Sequence, residues 1–344
     1  MPPAEAAVVA CTGDGGTRLE RRPWPRPGPG ELVLRLSACG LCGTDLFKLR
    51  HGVAPGTVLG HELVGAVESA GAGVERFAPG QRVVVPHHVA CGRCRQCQGG
   101  SETLCATFRE DLLAPGGFSE AILVRRRAVE RAARPVPDDL ADDAALFLEP
   151  AACVLRGVRR AGLLGGPPPV AAVLGAGSMG LLHLLVLTAL WPAAVVVVVD
   201  PMPERRELAR ALGAVAVPPA AAAEELARRA GADAVFDTAG GSGPLATALS
   251  LTREGGTVVL FAHSAPGESA GFDLNDFFKS ERRLVATYSG SLEEQEIVFE
   301  LLAGGRLDPT PLVSGRLPLS RFDEAVRRTE AREALKMVLV PDER

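Results

Sequence analysis

Between Arg160 and Asp200 the chain carries no aspartate, glutamate, lysine or arginine. An uncharged run of that length belongs either in a bilayer or in elements buried on every side. Gly175, Gly177, Gly180 and Pro192 cut it into pieces too short to span hydrocarbon. Strands of a parallel sheet are apolar on both faces, and they account for the run without a membrane. The pieces read as a strand at Val170–Leu174, a helix at Leu181–Leu190 and the all-valine strand Val195–Val199. A helix over Pro203–Leu212 follows, with proline at its first position and Gly213 just past its end. Ala234–Phe236, a helix near Pro244–Leu251 and Thr257–Phe261 continue the alternation. That β-α-β-α order predicts an α/β unit with a doubly wound parallel sheet.

The turn after the first of these strands is Gly175-Ala176-Gly177-Ser178-Met179-Gly180, a G-x-G-x-x-G placed between strand and helix. Its first glycine allows a tight turn and its second lets backbone approach a pyrophosphate. The third brings helix and strand together, and the helix N-terminus offers free N–H groups to the phosphates. Asp200 ends the next strand, where a carboxylate hydrogen-bonds ribose hydroxyls and repels a 2′-phosphate. NAD(H) is therefore expected over NADP, with Arg205 close enough to soften the preference. A glycine-rich turn in another kind of α/β protein is the plainer alternative.

The first third of the chain has a different rhythm. Short alternating segments at Leu32–Leu36, Val64–Ser69 and Val83–Val85, set between Pro and Gly turns, predict antiparallel strands. A helix is expected over Ala144–Ala161, and after about Gly290 come helices at Glu293–Leu302 and Phe322–Thr329 and a strand at Lys336–Val340. With 344 residues, 47% hydrophobic and 23% charged, the chain suits about two packed domains. Its net charge of −4 leaves no basic excess for a phosphate backbone, so a nucleic-acid partner is not expected. Met1–Gly16 shows no basic start followed by an apolar run, so a reducing cytoplasm is the expected compartment.

In such a compartment clustered cysteines point to metal. Cys91, Cys94, Cys97 and Cys105 form C-x2-C-x2-C-x7-C, four thiolates able to close a tetrahedral shell around zinc as a structural site. A zinc knuckle and an iron–sulfur cluster are the alternatives. A second constellation joins Cys42-Gly43-Thr44-Asp45 to Gly60-His61-Glu62. Cysteine, histidine and carboxylate give three ligands with one position left open, the pattern of a catalytic zinc. Glu149, before Pro150, is a candidate further ligand, with Cys153 a weaker one.

Taken together, these motifs resemble the zinc-dependent medium-chain dehydrogenases, and within them the sorbitol/L-iditol and threonine dehydrogenase branch. The resemblance also includes Gly116-Gly117-Phe118 and Gly315-Arg316-Leu317-Pro318-Leu319-Ser320, so it spans nearly the whole chain. It implies a GroES-like antiparallel β catalytic domain over residues 1–147 and 291–344, with the structural zinc lobe at 86–108. A Rossmann NAD-binding domain would occupy 148–290. Cys42, His61, Glu62 and Glu149 would serve the catalytic zinc, with Glu62 either a ligand or a residue behind one. Thr44 would accept the alcohol proton, and Lys336 would stand near the cofactor phosphates. The expected reaction is NAD-linked oxidation of a secondary alcohol on a small molecule, of polyol type, by a homodimer or homotetramer. Amino-alcohol, aminocyclitol or L-threonine oxidation are the alternatives, and a non-catalytic zinc and nucleotide binder is the alternative of another class.

Two positions depart from the pattern. Many relatives carry a histidine where this chain has Phe47, so the proton path beyond Thr44 must run through the ribose hydroxyl to water or to His51. Sorbitol-type enzymes tend to place arginine before the tyrosine that is here Tyr288, and this chain has Thr287, which bears on sorbitol itself as substrate.

Overall fold

The computed structural model describes residues 3–343. The chain divides into two compact units: one runs up to Glu149 and resumes at Ser291, and the other is Pro150–Gly290. The break falls after Glu149 because Leu146 and Leu148 are buried against the first unit, where they line one cleft with His61, Val84 and Glu149.

The second unit is a six-stranded parallel sheet. Its strands lie in the order Val215–Val217, Val195–Val199, Val170–Leu174, Ala232–Asp237, Thr252–Leu260, Arg283–Ala286. Chain order thus reverses beside Val170–Leu174, and such a switch point opens a crevice at the carboxyl ends of the strands. The uncharged run resolves into Val170–Leu174, the helix Ser178–Leu190 and Val195–Val199, nearly all buried. Among the described residues no helix is long and apolar enough to cross a membrane. Ala172, Val197, Val235 and Val258 form the centre of the core on one face of this sheet.

In the first unit a mostly antiparallel sheet curls around a core of Leu34, Leu63, Val67, Phe118 and Ile122. The strand Leu32–Gly40 is its hub, paired with Glu62–Ala70, with Ala121–Val124 and, near its end, with Lys336–Val340. The register sets Gly40 opposite both Glu62 and Val338. A hairpin of Glu5–Cys11 and Thr17–Pro23 stands apart from this sheet's pairing.

The expected helix over Ala144–Ala161 is two helices, Asp142–Ala145 and Leu148–Arg160. Pro150 lies in the first turn of the second, where a missing N–H costs nothing, so Glu149 is held at a helix start.

Candidate functional site

Cys42 caps the helix Gly43–His51. Its sulfur accepts from the Thr44 amide at 3.4 Å, and its own amide donates to Asp45 at 3.0 Å. The capping box aims the sulfur across the helix start instead of along it. His61 and Glu62 stand where the chain enters the strand Glu62–Ala70. Gly60, at φ +93°, makes that entry, because a side chain there would meet the Phe118 backbone. Ligand atoms of Cys42, His61 and Glu62 all fall within 4.8 Å of one another.

Asp45 is fully buried behind this trio, its carboxylate 3.5 Å from His61 Nδ1 and within 3.4 Å of the Gly60 amide. Burial opposes its charge, yet His61 and these amides hold it below the usual carboxylate range. Burial likewise opposes protonation of His61, but Asp45 and Cys42 raise it well above an ordinary histidine. With Nδ1 turned to Asp45, the other ring nitrogen of His61 is the one free to bind metal. Glu62 receives the buried ammonium of Lys336 at 2.5 Å through Oε2, while its Oε1 is buried with no hydrogen-bond partner. Cys42 sulfur, a ring nitrogen and an orphaned carboxylate oxygen together form a donor set suited to zinc.

Gly40 makes the Glu62–Lys336 pair possible, since a Cβ there would overlap Glu62 Oε2. Lys336 also reaches the Leu41 carbonyl at 3.3 Å and lies over the Phe147 ring. Burial would lower its pKa, but Glu62 and Cys42 raise it above the ordinary lysine value.

The second sulfur site is local. Cys94 immediately precedes the short helix Arg95–Gln98 and Cys97 lies within it. Sulfur separations of 3.9 Å for Cys91–Cys97 and 3.5 Å for Cys94–Cys97 match the edge of a tetrahedron. Four Zn–S bonds of about 2.3 Å put their sulfurs about 3.8 Å apart. Burial opposes ionisation of Cys105, yet the Cys91 amide and the Thr107 hydroxyl bring its thiol down to about 6.

In the second unit Gly175 adopts φ +99°, and a Cβ on Gly180 would fall 1.9 Å from the Gly175 carbonyl oxygen. The helix Ser178–Leu190 starts with no side-chain cap, and the buried Ser178 hydroxyl has no partner. Unmet donors at a helix start are a cradle for phosphate. Asp200 is buried and takes the Ala176 and Met202 amides at 2.7 and 2.8 Å, which leaves it further acceptor capacity.

Comparisons with known proteins agree with this geometry. Residues 28–136 match the alcohol dehydrogenase GroES-like domain, and residues 179–304 match the zinc-binding dehydrogenase family. The 2-dehydro-3-deoxy-L-galactonate 5-dehydrogenase of Pseudoalteromonas atlantica is 31% identical over 87% of this chain and 88% of its own. The chain belongs to the zinc-dependent medium-chain dehydrogenases. A sorbitol dehydrogenase of Bacillus subtilis is 28% identical over 98% of this chain and 97% of its own. The structure of a zinc-binding dehydrogenase from Sinorhizobium meliloti 1021 bound to NADP superposes with a TM-score of 0.88 at 29% identity, covering 98% of this chain and 100% of that one. The protein is thus an oxidoreductase of the alcohol and polyol dehydrogenase class, with the α/β architecture of a GroES-like domain and a Rossmann domain.

Within the dehydrogenase, the residues singled out from sequence fall unequally. Cys42, His61 and Glu62 converge, as do the four lobe cysteines. Glu149 lines the cleft with His61 and Glu62 but stands outside the ligand cluster. Thr44 sits in the first turn of the capped helix, and Met179 offers its carbonyl to His183. Lys336 lies in the first unit with its charge on Glu62, so its ammonium is already engaged and buried and is not held out for a phosphate. His51 is exposed at the last residue of its helix, its ring 4.2 Å from that of Phe47. The guanidinium of Arg206, next to the expected Arg205, binds the Asp200 and Pro201 carbonyls.

Two further residues belong to the site through the fold and were not singled out as site residues from the sequence. Asp45 stands in the Cys42-Gly-Thr-Asp motif, but its role depends on the fold that brings His61 back to it. His87 carries no motif at all, yet its ring centre lies 4.6 Å from that of His61.

Proposed function

We propose that this dehydrogenase oxidises a secondary alcohol of a polyhydroxylated substrate to a ketone, passing hydride to NAD. The observation that carries this reading is the convergence of Cys42, His61 and Glu62 within 4.8 Å at the start of the helix that bears Thr44. Zinc bound there, with Glu149 as a further ligand from the cleft wall, supplies a Lewis acid that makes an alcohol hydroxyl easier to ionise near neutral pH.

The chain's own residues do the rest. Asp45 fixes the orientation of His61, and Lys336 holds one oxygen of Glu62 so that the other faces the donor cluster. The Thr44 hydroxyl would take the alcohol proton, with His51 at the outer end of the path by which it leaves for solvent. Gly175, Gly177, Ser178, Met179 and Gly180 cradle the pyrophosphate. Asp200 turns its remaining acceptor capacity to the adenosine ribose and disfavours a 2′-phosphate, while Arg205 and Arg206 weaken that preference. Cys91, Cys94, Cys97 and Cys105 hold a second zinc as scaffold. Both relatives described above are named for polyhydroxylated compounds, which supports the substrate class.

Metal analysis and turnover test the proposal together. Two zinc ions per chain and NADH formation from a polyol panel are expected. Cys42→Ser should keep one zinc and lose turnover, and a folded Cys42→Ser protein with unchanged turnover would overturn the scheme. A pH–rate profile unchanged in His51→Gln would remove His51 from the proton path.

A further inference from the structure

The sulfur lobe begins and ends beside a short series of rings. His88 lies three residues before Cys91, and Phe108 three residues after Cys105. Their rings close the neck of the lobe, with centres 5.0 Å apart. Phe108 is fully buried and packs in one small core with Ala90, Cys97 and Cys105. Its amide donates to the Cys105 carbonyl at 2.9 Å, and across the same neck the Cys91 amide meets the Cys105 sulfur at 3.5 Å. Whatever holds the four sulfurs together therefore also fixes where the chain enters and leaves the lobe.

From His88 the rings continue to the cleft. Consecutive side chains of an extended chain point to opposite faces. Here the chain bends at His87, and the two rings stand 3.6 Å apart. Ring centres in proteins usually lie about 4.5–7 Å apart, so this pair is in close contact. His87 in turn lies 4.6 Å from His61. Both His87 and His88 are half-buried, and each has a buried Nδ1 with no hydrogen-bond partner among the described residues. Nothing bonded at that nitrogen fixes either ring, so packing sets their orientation. His87 is held between His61 and His88, and His88 between His87 and Phe108. Of the three, Phe108 is the one anchored in a core, that of the lobe.

His61 thus meets two different constraints. Asp45 faces its Nδ1 at 3.5 Å and selects the nitrogen turned to the donor cluster. A carboxylate at one nitrogen leaves the ring able to tilt about that contact, whereas a ring packed against it does not. We propose that Phe108, His88 and His87 form a buttress of stacked rings through which the sulfur lobe positions His61 for its metal. His87 and His88 are then positioning residues, and the lobe does more than stabilise its own segment. This rests on the reading of Cys42, His61 and Glu62 as a metal site. No bond is made or broken. A ligand already held in place loses less freedom on binding, so metal affinity is the quantity the buttress raises.

The test uses the full-length protein with zinc on the four lobe sulfurs. Chelator competition reads zinc affinity in the cleft, and cobalt(II) placed there reports its geometry through the visible spectrum. His88→Ala should weaken cleft zinc roughly tenfold, as is typical of residues behind a metal ligand, and should change the cobalt spectrum. His88→Phe keeps a ring without its nitrogens and should return both close to the parent. Phe108→Leu should act in the same direction as His88→Ala. Phe77→Leu trims a buried core ring of the same unit outside the stack. It should lower the melting temperature and leave affinity and spectrum alone. At saturating zinc, turnover should stay within about tenfold of the parent in every variant, since the donor set is intact. Unchanged affinity in His88→Ala and Phe108→Leu, an equal loss in Phe77→Leu, or no recovery in His88→Phe overturns the buttress. A parent protein that binds only the lobe zinc overturns the metal reading instead. NMR signals of the His61 ring then decide the stack separately: a shift in His88→Ala that His88→Phe reverses supports it, and any other pattern overturns it.

Discussion

The two sulfur sites of this dehydrogenase hold the same kind of metal donor in opposite ways. The lobe draws all four cysteines from residues 91–105, around a short helix and turn, with sulfur as every candidate ligand. The cleft takes Cys42 from a helix cap, His61 and Glu62 from a strand entry, and braces them with Asp45 and with Lys336 from the far end of the chain. A closed shell of local ligands stabilises the segment that carries it. An open set of distant ligands, each steered by a partner, positions a reacting atom. The difference between scaffold and chemistry therefore lies in how the ligands are supported and less in which residues they are.

Paired substitutions put that contrast at risk most directly. His61→Ala should reduce turnover on the order of a thousandfold, with the lobe zinc retained and a loss of stability confined to what buried Asp45 loses with its partner. Cys97→Ser should do the reverse: loss of the lobe zinc, a lower melting temperature by several degrees, and turnover within about tenfold of the parent at low temperature. Metal content, calorimetry and steady-state rates read both. If the lobe variant lost turnover as completely as His61→Ala, the division between the sites would not stand.

A smaller effect sharpens the account of the cleft. Lys336→Met leaves Glu62 buried beside the donor cluster without its partner, and breaking such a pair costs about 3–5 kcal/mol. Denaturant melts should show that loss, and Lys336→Met with Glu62→Gln should recover a large part of it. If Lys336 held cofactor phosphate instead, the single variant would weaken NAD binding and leave stability alone.

The smallest effect comes from a histidine in the other unit that serves as the contrast to His61. His183 is fully buried with Nδ1 on the Met179 carbonyl and Nε2 unpartnered between Phe236 and Phe261. Burial lowers its pKa to about 4, whereas Asp45 and Cys42 raise that of His61. Because the folded pKa lies below the ordinary 6.5, the unfolded chain binds the proton first as pH falls. Stability held above pH 6.5 is then lost on the way down to about pH 4, with a slope of at most about 1.4 kcal/mol per pH unit. His183→Leu should flatten that part of the stability–pH curve at a cost of about 1 kcal/mol, since the one bond lost is that to the Met179 carbonyl. An unchanged curve would show that His183 titrates as an exposed histidine does.

Much of this architecture is legible in the order of residues. The strands Val170–Leu174 and Val195–Val199 keep the bounds expected from their apolar runs, because a strand buried on both faces has no other use for such residues. The helix expected over Ala144–Ala161 breaks near Leu146–Phe147, where two buried side chains turn the chain before Pro150 restarts it. The first hairpin has no comparable signal. Thr17–Pro23 carries three arginines and a glutamate around one exposed leucine and has no buried stripe to announce it.

Sequence alone determined the features that covalent spacing controls: the cysteine lobe, the glycine turn with its following aspartate, and the alternation that makes a parallel sheet. In each, the residues that meet are separated by a turn or by one β-α step, so local geometry leaves them few other arrangements. Tertiary structure alone decided that Lys336 meets Glu62, 274 residues away, that Asp45 backs His61, and that His87 packs beside it. Those contacts depend on the register of the strand Leu32–Gly40 with its neighbours on both sides. A shift of one residue in that register would turn the same side chains to the other face of the sheet.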